Sequence, residues 1–244
     1  MADSDAFLWY APPMPHRLTL PLLALLLLPA LARADGAPVE PQRRLEEGLT
    51  IRLEPGYSAW TLDGPRIADQ VPVFERPFVD PLLVQQTENS LGLGLGIGYN
   101  IRGHASILLQ LRGHGWDLGS SQRGGAGLAT LELGWHPAAL LEALEVLSPT
   151  ARRWWDASIH LGAGYGVIGE DRAMDGLVLA FGLRAEAFAT DWLSLGAGIT
   201  WVPLKLSRYV TDWSGGIDHP LPEGSGGHVL FPSLTLGVHA PVGK

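Results

Sequence analysis

The chain contains no cysteine, which excludes thiol nucleophiles, thiolate metal sites and disulfides and leaves stability to backbone pairing and packing. Charge is also scarce. Only 17% of the 244 residues are charged, against roughly 25% in soluble domains. With a net charge of −8 and no basic run interleaved with aromatics, a nucleic-acid partner is not expected. Apolar runs long enough for a spanning helix are missing too. The longest, Leu18 to Ala32, is interrupted by Pro21 and Pro29 and falls short of the roughly 20 residues such a helix needs.

That short run has another reading. His16 and Arg17 precede it and Ala32-Arg33-Ala34 follows it, the charged, apolar and small-x-small succession of a cleaved secretory signal. Residues 1–34 are therefore expected to be a signal peptide and 35–47 a polar periplasmic leader. Met14-Pro-His-Arg supplies the positive start that the acidic stretch Met1 to Pro13 lacks, so translation is expected to begin at Met14.

What the sequence has in abundance is glycine, 31 residues, alongside 46% hydrophobic residues. Interior glycine costs a helix about 1 kcal/mol relative to alanine, so this mixture favours strands. Period-2 alternation recurs from residue 48 onward, most plainly in Leu91-Gly-Leu-Gly-Leu-Gly-Ile-Gly-Tyr99. Strands are predicted at 48–62, 90–102, 104–117, 126–136, 156–168, 176–189, 192–208 and 228–240. Each is long enough to cross a bilayer when tilted, and closure would remove exposed edges. The fold class is all-β, a closed antiparallel transmembrane barrel of about eight strands over 48–240. Short turns at Arg102-Gly103 and Thr190-Asp191 alternate with longer links at 63–89, 119–125, 169–175 and 210–227, the longer ones expected to face outward. Pro137 to Leu147 is rich in helix formers and predicts a short periplasmic helix.

With the apolar parity facing lipid, the lumen receives Arg52, Glu54, Gln110, Arg112, Glu132, His160, Arg184 and Glu186, with Ser58, Thr130, Ser158, Ser194 and Thr235. Three arginines and three glutamates balance, and buried charges require such pairing. An eight-stranded barrel has room only for side chains in its interior, so a filled lumen is expected. Trp60, Trp116, Tyr165 and Trp201 are assigned to an outer aromatic belt and Tyr99, Trp135 and Trp192 to a periplasmic one, joined there by Trp154-Trp155.

The alternating glycine strands, Asp156-Ala-Ser-Ile-His-Leu-Gly-Ala-Gly-Tyr165 and Thr190-Asp-Trp-Leu-Ser-Leu-Gly-Ala-Gly198 resemble the small outer-membrane barrels of the outer-membrane protein A and outer-membrane protein W type. The resemblance implies residence in the bacterial outer membrane, contact with its lipids, and recognition by the barrel-assembly machinery through a last strand like Thr235 to Val242. It implies a fold and not an activity.

Two constellations invite chemistry. Ser158, His160 and Glu132 supply the residue types of a hydrolase triad, and His104, His136, His160 and His239 share inward parity near one end. A lumenal hydrogen-bond network and polar rim residues are the simpler readings, so neither an enzyme nor a metal site is expected. No phosphate loop is present, because Gly92 to Gly98 alternate strictly and no Lys-Ser/Thr follows, and no cofactor is expected. A structural or surface-interaction barrel is the leading reading, with a ligand expected at the outer loops; a narrow channel for small or hydrophobic solutes and a membrane hydrolase are the alternatives.

Overall fold

A computed structural model describes residues 47–62, 89–117, 123–137, 154–169, 172–190, 192–211, 217–221 and 225–241, with Leu141, Leu144, Val146 and Glu223. Its strands are β1 (Gly48–Leu62), β2 (Asn89–Ile101), β3 (Ala105–Asp117), β4 (Arg123–Trp135), β5 (Trp155–Gly169), β6 (Arg172–Phe188), β7 (Leu193–Thr211), β8 (Ile217–Pro220) and β9 (Gly226–Pro241). Neighbours from β1 to β7 pair antiparallel in chain order, and β9 pairs with both β7 and β1. The sheet therefore closes into an eight-stranded barrel. The short β8 stands outside the ring and pairs only with the far end of β7, Arg208 to Thr211. It lies inside the link predicted over 210–227, where its four residues are too few to display a period.

Both barrel termini and the links 102–104 and 189–192 lie at one end, here the turn end; the other is the loop end. At the turn between β2 and β3, Arg102 and Gly103 have φ of 48° and 67°, as the two central residues of a type I′ turn require, and the His104 amide donates to Ile101 O at 3.0 Å. The signal peptide and nearly all of the leader fall outside the described residues. So does most of the helix predicted at 137–147, of which Pro137 and Leu141 are helical.

The alternation that predicts the strands also sorts their faces. Outward positions carry Ile51 and Leu53 on β1, Leu93 and Leu95 on β2, Leu109 and Leu111 on β3, Leu131 and Leu133 on β4, Leu161 on β5, Leu179 and Leu183 on β6, Leu195 and Ile199 on β7, and Leu234 and Leu236 on β9, all exposed. A continuous apolar girdle around a closed barrel has no place in water. This is a transmembrane barrel, built as outer-membrane proteins are. Among the described residues no helix is long and apolar enough to cross a membrane; the crossing is made by strands.

Inward glycines make room for long side chains on adjacent strands. A Cβ at Gly92 would lie 2.7 Å from His114 Nδ1, and one at Gly96 would collide with Gln110 Oε1. Two irregularities matter later. Between β6 and β7 the register shifts after Asp175/Arg208 to Gly176/Leu206, so Ser207 is an extra residue. This bulge flips the parity of β7, turning Tyr209 into the barrel while Arg208 stays exposed. Between β1 and β9 one register runs from Gly48↔Pro241 to Leu62↔Gly227, but pairing lapses at Glu54-Pro55 and at Tyr57-Ser58. Pro55 and, opposite Tyr57 in that register, Pro232 have no amide hydrogen to give the ladder.

Leu109→Arg, in the middle of the girdle, is expected to destabilise the barrel by about 2–4 kcal/mol, whereas Lys205→Ala near the loop end should change stability by no more than about 1 kcal/mol. Guanidinium unfolding in lipid vesicles measures both.

Candidate functional site in the lumen

Each of the six charged residues predicted to face inward is buried and has an opposite charge beside it. Arg52 makes a bidentate pair with Glu186, Nε to Oε1 at 3.0 Å and Nη2 to Oε2 at 3.1 Å. Arg184 pairs with Glu54 through Nη2 and Oε1. Arg112 Nη1 lies 2.8 Å from Glu132 Oε1, which also accepts from Thr130 Oγ1 at 2.9 Å. The first two pairs are reciprocal. Arg52-Leu-Glu54 on β1 and Arg184-Ala-Glu186 on β6 carry the same Arg-x-Glu spacing on antiparallel strands, so each arginine meets the other strand's glutamate. In the ring, β9 and β7 stand between β1 and β6, and the pairs pass across the lumen instead of along the wall. Gln110 Nε2 extends the network to Glu54 Oε2 at 3.0 Å.

Toward the turn end the interior becomes a set of side-chain hydrogen bonds. Thr50 Oγ1 accepts from Asn100 Nδ2 at 2.9 Å and lies 3.2 Å from His239 Nδ1, while His239 Nε2 lies 2.8 Å from Ser194 Oγ. Beside them His136 is held between Asp156 and Ser106, Nδ1 to Oδ2 at 2.5 Å and Nε2 to Oγ at 3.2 Å.

Toward the loop end the interior turns apolar, which the reading of a polar lumen misses. Trp60, Leu128, Ile168, Met174, Val178, Val202, Leu204, Tyr209 and Val229 form one buried cluster. The signal lies in the sequence. Leu177-Val-Leu-Ala-Phe181 and Trp201-Val-Pro-Leu204 are apolar on both parities, the mark of strands buried on two faces.

Trp60 is also a correction. Assigned to the outer belt, it is instead inside the barrel at 4% exposure, because it shares parity with Arg52, Glu54 and Ser58. Its Nε1 donates to Ser58 Oγ at 3.2 Å and Ser90 Oγ at 3.3 Å, and its ring meets His114 edge-on, centroids 5.2 Å apart. Trp116 takes the position opposite Gly124 on β4; its side chain is outside the described residues. Tyr165 and Trp201 are exposed toward the loop end, Tyr165 accepting from Arg208 Nη2 at 3.2 Å and Trp201 lying against Phe181. At the turn end Trp135, Trp154 and Trp192 are exposed, and Tyr99 and Trp155 are half-buried.

Ser158, His160 and Glu132 are not assembled into a triad. Ser158 Oγ does lie 2.7 Å from His160 Nε2, but Arg184 Nη1 reaches that same nitrogen at 2.9 Å and His160 Nδ1 has no hydrogen-bond partner. Glu132, the intended carboxylate, is bound to Arg112 and Thr130. The four histidines do not converge either. His104 is exposed in a turn, the others have separate partners, and among the described residues no group of three or more His, Asp or Glu is placed to hold a metal ion.

No protein-family profile and no curated protein sequence matches this chain. Solved structures similar to it include Neisserial surface protein A (TM-score 0.47, 10% identity, 79% of this chain and 97% of that one). Two more are the outer membrane protein OprG from Pseudomonas aeruginosa (0.45, 12%, 82% and 99%) and the outer membrane protein AlkL in lipid bilayers (0.49, 11%, 86% and 98%).

Glu186→Leu strands the Arg52 guanidinium in the lumen and is expected to cost about 3–5 kcal/mol. Combining it with Arg52→Met should recover much of that loss. Unfolding of the two variants in detergent micelles gives the comparison.

Proposed function

We propose that this chain is a bacterial outer-membrane barrel with a structural or surface-interaction role, its lumen closed by its own side chains. The observation that carries this is the succession of buried side chains along the interior: hydrogen-bonded polar residues at the turn end, cross-lumen ion pairs above them, and an apolar cluster toward the loop end. With no water path needed, recognition falls to the loops, which carry function more often than the scaffold. The segments 63–89 and 210–227 are the proposed contact surfaces; the second holds β8 and the exposed Asp218. Outer-membrane lipids surround the girdle. The barrel-assembly machinery is the proposed partner in biogenesis, through the alternating last strand β9.

A second reading, a narrow path for hydrophobic solutes, draws on the apolar plug around Trp60, Met174 and Val229. Planar-bilayer recordings separate the two. The filled barrel should leave the bilayer silent across salt concentrations, and reproducible discrete conductance steps would overturn it. If the loops are the working surface, replacing 63–88 by a short Gly-Ser link should abolish binding of the intact cell's surface ligands while heat-modifiable gel migration is retained.

A further inference from the structure

The structure assigns a reactive serine at the turn-end mouth of the lumen: we propose that Ser106, activated by His136 and Asp156, is a nucleophile that accepts the acyl group of short uncharged esters. Three consecutive strands place it. Ser106 is the first inward residue of β3, Asp156 the first inward residue of β5, and His136 follows directly after β4, its amide donating to His104 O at 2.9 Å. Gly134, opposite Ser106 in the ladder, leaves the hydroxyl space, since a Cβ there would collide with Ser106 Oγ.

The two imidazole nitrogens have different jobs. Asp156 Oδ2 at 2.5 Å from Nδ1 holds the proton there and turns the Nε2 lone pair toward Ser106 Oγ, 3.2 Å away. That is the relation of carboxylate, imidazole and hydroxyl that makes a serine nucleophilic, and it is recognised by geometry instead of sequence order. The same lumen contains its own control. Ser158 and His160 are also hydrogen-bonded, yet His160 has Arg184 on the nitrogen facing the serine and no carboxylate on the other, so it is in no position to take a proton.

In the step proposed, Ser106 Oγ bonds to the ester carbonyl carbon as its proton passes to His136 Nε2. The carbonyl carbon's bond to the alcohol oxygen then breaks, and the alcohol leaves with that proton, giving acyl-Ser106. The acyl group must be short because buried side chains occupy the interior beside Ser106, and it must not be anionic because the carboxylates of Asp156 and Glu186 face each other in the ladder there. Asp156 is a positioning residue, acting on the serine through the imidazole.

The test uses the full chain folded in detergent micelles, with folding of every variant checked by heat-modifiable migration. A small fluorophosphonate should add once per chain, at Ser106 by peptide mass mapping, and p-nitrophenyl acetate should release a burst of one equivalent of nitrophenol. Ser106→Ala and Ser106→Gly should abolish both. Asp156→Asn should slow labelling at least about 100-fold, since removing the carboxylate leaves the wrong tautomer, while Ser158→Ala should label at the wild-type rate. No adduct on the folded wild-type chain, an adduct that survives in the Ser106 variants, or an unchanged rate in Asp156→Asn would each overturn the assignment.

Discussion

The ion pairs that cross the lumen between β1 and β6 are the constraint around which the rest is arranged. Burying a guanidinium or a carboxylate costs several kcal/mol, and only near-ideal geometry with further hydrogen bonds offsets it. Two Arg-x-Glu tripeptides on antiparallel strands supply the pairing as a set, since Arg52 meets Glu186 and Arg184 meets Glu54. The inward glycines of β2 follow from it. They admit Gln110, which reaches Glu54, and a larger residue there would push the network off register.

The interior changes character along the barrel axis, and each zone does a different kind of work. The charged zone specifies register, because a strand slipped by one residue would turn its arginine or glutamate into lipid. The apolar zone beyond it packs like the core of a soluble protein and needs no such specification. The hydrogen-bonded zone at the turn end lines the mouth, with His136 held between a hydroxyl and a carboxylate and His239 between two hydroxyls.

Alternation made most of this fold legible in the sequence. The ring strands lie within a few residues of where the period-2 pattern places them, since inward and outward environments differ sharply at nearly every position. Where both environments are apolar the pattern goes quiet, and that is where the polar-lumen reading fails, along β6, β7 and β9 near the loop end. Trp60 is an aromatic whose residue type points to the belt while its parity, shared with Arg52, Glu54 and Ser58, points inward, and parity prevails. The Ser106–His136–Asp156 grouping was out of reach for a different reason. Its histidine sits beyond the end of β4, and sequence spacing cannot say which neighbours a residue outside the ladder will meet.

The lapse in pairing between β1 and β9 gains meaning beside the cross-lumen pairs. Pro55 and Pro232 thin the hydrogen bonding of the one contact that joins the first strand to the last, where a circle made from a linear chain is finally sealed. The ion pairs leave β1 from Arg52 and Glu54, beside that thinned stretch, and end on β6, spanning the arc that contains β9 and β7. In mechanical terms they form a chord under an arch with a weak joint. In that sector the ion pairs add a link from within to the hydrogen-bonded ladders β1–β9, β9–β7 and β7–β6 that close the ring.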